Sequence, residues 1–181
     1  MPLKNSATDY GAVTRFLHWS IFFLFFYQYL SANIMTRLAR DQTLFGLTQG
    51  HYYDWHKSIG LVLLGLVLAR WLWRKATPLP DWAPMLSEAE RTISHRNEVR
   101  LYWCMFLLPI TGYLFVMAGG FGIKLFGEMA LPNPIGKQAF LARLAQVAHI
   151  VTAYAALVLS LIHISEPTRR TPISYAVFCL K

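Results

Sequence analysis

From Leu144 to Ser165 the sequence reads LAQVAHIVTAYAALVLSLIHIS, twenty-two residues without a charge that carry His149 and His163. A run of this length spans the ~30 Å hydrocarbon core of a bilayer as an α-helix, the form that satisfies its own backbone there. Histidines fourteen residues apart on that helix lie roughly 21 Å apart along the axis and within about 40° of one another in azimuth. One helix face therefore offers an imidazole near each side of a membrane. Imidazoles at membrane depth are costly and mark functional sites, so the rest of the chain must supply what these two rings face.

Composition agrees with a membrane chain. Of 181 residues, 55% are apolar and 15% aromatic, and the mean hydropathy is positive, which describes one small membrane bundle. The net charge of +8 is split among the loops between apolar runs, so it reads as a topology signal and no nucleic-acid partner is expected. Cys104 and Cys179 form neither a disulfide framework nor a CxxCH motif, which argues against covalently attached haem.

The pattern predicts an all-α, integral-membrane four-helix bundle, with helices at about 16–36, 55–73, 101–123 and 144–164. The first run, Phe16 to Thr36, is too long for a signal-peptide core and no small-x-small site follows it cleanly, so it is expected to be retained. Pro78, Pro80 and Pro84 mark a linker, and Ser87 with Glu90 suggests a capping box opening a short surface helix up to Glu98. The glycine- and proline-rich stretch 119–137 is expected to lie at the membrane surface. Of the seventeen Lys and Arg, eleven fall on the side of the termini and six on the other, which favours both termini in the cytoplasm.

On this topology His18 and His163 share the inner depth, and His56 and His149 share the outer. Facing imidazoles at equal depth are what a six-coordinate b-type haem iron needs in a bundle core, so the pairs predict two haems. Arg70 lies fourteen residues after His56, on the same face at the inner depth. It reads either as a partner for a haem propionate or as a snorkelling side chain. Ala32, Ala153, Ala156, Ser160, Gly60 and Gly65 read either as clearance for a porphyrin or as ordinary helix-packing positions. His51 and His95 have no partner at membrane depth and are taken as surface residues. Two other classes stay open: an electron-carrier subunit serving a partner redox protein, and a non-haem transporter using histidine as a proton relay.

The chain also resembles the bacterial cytochrome b561 family of four-helix, dihaem membrane proteins. The resemblance lies in Tyr10-Gly11 with Arg15 and His18-Trp19, in His56-Lys57-Ser58-Ile59-Gly60 leading to Arg70, in Leu101-Tyr102 with Pro109-Ile110-Thr111-Gly112, and in His149 to His163. It covers about residues 8–164. What it implies is a multi-pass protein of the bacterial inner membrane holding two haem b, with His18, His56, His149 and His163 as axial iron ligands. It further implies a quinone-linked oxidoreductase that exchanges electrons with ubiquinone, and that resembles superoxide oxidases acting at the outer face. Superoxide or a periplasmic redox protein would then be the outer partner, drawn by Lys124, Lys137 and Arg143. A histidine that often precedes the Leu-Tyr pair in the family is Glu98 here. Residues 1–164 are read as the dihaem domain. Residues 165–181, SEPTRRTPISYAVFCLK, with Pro167 and Pro172, are read as an atypical tail, disordered and not native, that replaces a longer fourth helix.

Overall fold

The computed structural model describes residues 2–84 and 86–165, so the expectations for 166–181 lie outside the described residues. Four helices account for most of them: α1 (Ala12–Arg37), α2 (Gln49–Ala76), α3 (Glu88–Ala118) and α4 (Ala139–Ser165). Two small antiparallel hairpins, β1 (Thr43–Leu44) with β2 (Leu47–Thr48) and β3 (Lys124–Leu125) with β4 (Met129–Ala130), close the α1–α2 and α3–α4 connections. Both turn on a Leu-Phe-Gly sequence, with Phe45, Gly46, Phe126 and Gly127 all at positive φ. The chain thus repeats one plan, helix, hairpin, helix.

By length and apolarity alone, α3 and α4 are each able to cross a membrane. The first two helices are also long, but α1 carries His18, Gln28 and Asn33 within its run, and α2 carries Asp54, His56, Lys57 and Arg70. Of these, His18, Gln28, His56, Lys57 and Arg70 meet neighbouring elements in the site below. Outward, α1 exposes Phe16, Phe23 and Phe26 and α4 exposes Val151, Tyr154 and Leu161, an apolar exterior suited to lipid and not to water.

The third helix differs from the sequence-based boundaries. It begins at Glu88 instead of near 101 and ends at Ala118 instead of near 123. Nothing between Glu98 and Leu101 breaks a helix, so the capped surface segment and the apolar run are one element. Ser87 Oγ accepts from Glu90 N and the Glu90 carboxylate accepts from Ser87 N, the reciprocal cap expected at this start. The backbone donation from Ser87, with its hydroxyl, holds the Glu90 carboxyl below its ordinary range. At the other end Gly119-Gly120, with Gly120 at positive φ, releases the chain into the hairpin. Pro109 sits inside α3 without ending it.

Packing runs in sequence order: α1 lies along α2, α2 against α3, and α3 most extensively along α4. The core sits on α1 and α2, where Ile21, Ile59, Leu63 and Val67 interlock with Met105 and Phe106 of α3. At the inner end Arg74 pairs with Glu98, tying α2 to α3, and Asn97 Nδ2 donates to the Leu159 carbonyl at 3.3 Å, tying α3 to α4. Asn5 closes the start of α1 by accepting from Gly11 N at 2.9 Å and Thr14 Oγ1 at 2.7 Å. Gly11 is needed there, because a Cβ would overlap the Leu3 and Lys4 backbone.

Ser58 latches the β3–β4 hairpin to α2. Ser58, fully buried on α2, donates to the Asp54 carbonyl at 2.7 Å and accepts from Phe126 N at 2.8 Å. Replacing Ser58 by Ala leaves the part-buried Phe126 amide without that acceptor, an expected loss of about 1 kcal/mol. Thermal unfolding in detergent, with faster amide exchange at Phe126 than in the parent, checks this.

Candidate functional site

Among the described residues α4 packs most extensively along α3, and it presents two histidines to α1 and α2. His149 faces His56 of α2 with ring centres 6.5 Å apart, and His163 faces His18 of α1 with ring centres 6.2 Å apart. These are the pairs that equal depth predicts. Fourteen residues of helix place them roughly 21 Å apart along the axis.

Hydrogen bonding fixes the protons of the outer pair. His149 Nδ1 lies 2.9 Å from the Leu108 carbonyl oxygen; a carbonyl only accepts, so Nδ1 carries the proton and donates. His56 Nδ1 lies 3.0 Å from Ser31 Oγ. That hydroxyl has one proton, committed to the Gln28 carbonyl 3.1 Å away, so Ser31 accepts and His56 Nδ1 donates. Both rings are then left with Nε2 as an acceptor. Two acceptor nitrogens on rings this close, in an apolar bundle, call for an electrophile shared between them.

A porphyrin iron meets that requirement. Metal–imidazole bonds of about 2 Å on each side, with roughly 1 Å more from each nitrogen to its ring centre, separate the ring centres by about 6 Å. Both observed gaps agree with this. Among the described residues no three His, Cys, Asp or Glu side chains converge, and an iron already holding four porphyrin nitrogens needs two protein ligands, not three. The residues present fit the group.

Small residues around the pairs play unequal parts. Gly112 of α3 gives His149 its place, since a Cβ there would stand 3.1 Å from the ring. Ala153, Ala156 and Ser160 fall with both histidines on the half-buried face of α4. At the outer depth of α1, however, it is Ser31 that meets His56, and Ala32 stands half-buried beside it. Gly60 approaches the Gln28 amide, while a Cβ on Gly65 would meet nothing. Gly60 thus accommodates a side chain of α1, and Gly65 borders open space.

At the inner pair, His18 packs edge-on against Trp19. Arg70 is close enough for its charge to act on His18. Its Nε donates to Tyr102 Oη at 3.2 Å, while its buried Nη1 has no hydrogen-bond partner. A buried, unsatisfied guanidinium N–H beside a candidate ligand is what a propionate would complete. Arg15, one turn before His18, also has a buried Nε without a partner. On the outer side Lys57 is engaged with Asp54 at 2.8 Å and with the Gly122 carbonyl at 3.3 Å, whereas Lys124, Lys137 and Arg143 are exposed. His51 and His95 are exposed as well, His95 in a shallow groove with Trp82, Arg91 and Arg96.

Sequence reasoning missed Ser31, Gln28, the Leu108 carbonyl and the Arg74–Glu98 pair. A lone serine or glutamine in an apolar helix carries no motif. Only the buried, polar spacing Gln28-x-x-Ser31 on one helix face could have flagged the first two.

Comparison with known proteins adds to this geometry. The chain matches the family described as prokaryotic cytochrome b561 over residues 9–174, a match that ends inside the 165–181 segment. It is 29% identical over 170 residues to cytochrome b561 homolog 2 of Escherichia coli (strain K12), covering 90% of this chain and 85% of that protein.

Proposed function

The chain belongs to the prokaryotic cytochrome b561 family, and from that premise we propose that it is a two-haem, multi-pass cytochrome of the bacterial inner membrane that passes electrons from superoxide at the outer face to ubiquinone. The family accounts for the coarser part: a membrane protein that carries b-type haem and transfers electrons. The observation that supports two haems is the pair of facing histidine sets, His56 with His149 and His18 with His163, on two levels of one helix. Haem, when bound, supplies a one-electron couple at each level.

The chain's own residues do the remaining work. Four histidines fix ligand geometry, and Ser31 and the Leu108 carbonyl hold the outer tautomers. Arg70, with Tyr102 behind it, neutralises a carboxylate at the inner level. The exposed Lys124, Lys137 and Arg143 raise the local concentration of a small anion on the outer side. The apolar exterior keeps the couples away from water. Over a full turnover two superoxide anions each give up one electron and leave as dioxygen, and one ubiquinone takes two electrons and two protons to become ubiquinol.

The test is to mix the purified, haem-loaded protein with superoxide and a short-chain ubiquinone. One quinol per two superoxides is expected, and abolishing the reaction by removing quinone supports the assignment. Haem reduction without quinol formation would instead assign the electron-carrier role. Absence of a reduced-minus-oxidised haem band would sink the cytochrome reading itself and leave the histidines to a proton relay.

A further inference from the structure

We propose that Ser31 is a positioning residue for the outer ligand His56: by accepting a hydrogen bond from Nδ1–H it turns Nε2 to the iron and strengthens it as a donor. The inference rests on the haem reading of the His56–His149 pair. Ser31 is 1% exposed and stands on α1, while His56 stands on α2, so the bond crosses between helices. The serine proton goes to the Gln28 carbonyl at 3.1 Å, which orients a lone pair toward His56 Nδ1 at 3.0 Å. Gln28 Nε2 meanwhile donates to the His56 carbonyl at 2.9 Å. One turn of α1 thus holds His56 by its ring and by its backbone.

The opposing ligand is held differently. His149 Nδ1 donates to a main-chain carbonyl, that of Leu108, and Thr111 Oγ1, 3.3 Å from the same nitrogen, has its own carbonyl acceptor at Leu107, 2.6 Å away. A backbone acceptor cannot be removed by changing a side chain, whereas the Ser31 hydroxyl can. An acceptor on Nδ1–H pushes electron density toward Nε2, favours the ferric state and lowers the potential of the iron it faces. Ser31 therefore sets the outer potential through His56 without touching the haem. Ser31 stands at the outer level, roughly 21 Å along the helix axis from the inner pair, so the effect is confined to one level.

Redox titration of the parent, Ser31→Ala and Ser31→Thr, read by absorption and by the low-spin signal in electron paramagnetic resonance, tests this. The outer component is identified as the one absent from His149→Ala. In Ser31→Ala that component becomes harder to oxidise, by about tenfold in the ferric-to-ferrous ratio at fixed potential, or about 59 mV for a one-electron couple. The inner component stays where it is, haem content stays at the parent value, and Ser31→Thr, which retains the hydroxyl, returns toward the parent. An unshifted outer component in Ser31→Ala overturns the assignment, as do equal shifts in the Ala and Thr variants, which indicate packing alone. A parent protein without a two-histidine, low-spin outer haem overturns the haem reading and this inference together, a result distinguishable from the other two.

Discussion

His149→Ala is expected to leave one haem per chain where the parent holds two, with the His18–His163 level spectroscopically intact. His149 is the α4 ligand of the outer set, its ring 6.5 Å from that of His56, and no other histidine of the described residues shares that depth. Without His149, His56 would be the one histidine left to hold the outer haem. His163→Ala should remove the other haem and spare the outer one, since the two sets are roughly 21 Å apart along one helix and share no side chain. Pyridine haemochrome analysis against protein concentration, with redox titration of what remains, decides the matter. Two haems in both variants, or none in either, would refute the pairing. Truncating the imidazole also removes the donor to the Leu108 carbonyl, but α3 and α4 remain joined along an extensive contact and by Asn97 Nδ2 donating to the Leu159 carbonyl. Loss of fold is therefore not the expected route to loss of haem.

The second large effect concerns stability. Glu98→Ala leaves the Arg74 guanidinium, only about a fifth exposed, without the carboxylate that holds it through two hydrogen bonds. Removing one member of a largely buried pair costs about 3 kcal/mol, because the remaining charge is uncompensated. That corresponds to roughly a hundredfold in the folded-to-unfolded ratio. The double variant Arg74→Ala with Glu98→Ala should lose less than the two single variants summed, since no lone charge is left behind. Thermal unfolding in detergent, followed by haem absorbance, measures all three. Strict additivity would show that the pair does not act as a unit. Glu98 is also where the chain lacks the histidine often seen before the Leu-Tyr pair in its family, and its observed partner explains the residue in structural terms: it joins the inner ends of α2 and α3.

Much of this architecture was legible beforehand because a bilayer imposes a simple rule. Long uncharged runs become helices, and titratable residues inside them are rare enough to be noticed one by one. His18, His56, His149 and His163 could be paired by counting residues along four helices, and the rings do meet in those pairs. The capping box at Ser87 was equally local and equally readable. Boundaries were harder. Charge content suggested a division within α3, but a helix continues through charged residues as readily as apolar ones when no proline or glycine intervenes. The hairpins went unread because their strands are two residues long and their turns place Phe45 and Phe126 at positive φ, a conformation sequence rarely forecasts.

The sequence by itself determined the number of helices, their order, and the two levels at which histidines stand, since each follows from apolar length and from a fixed rise per residue. Tertiary structure alone decided what surrounds those histidines. Helix azimuth, and with it the choice of Ser31 over Ala32 to meet His56, depends on how α1 rotates against α2 around Ile21, Ile59 and Leu63. The same holds for the Leu108 carbonyl against His149 and for Arg74 against Glu98. Each of these contacts joins residues at least twenty-four positions apart, and their distances are set by packing, which no local pattern encodes.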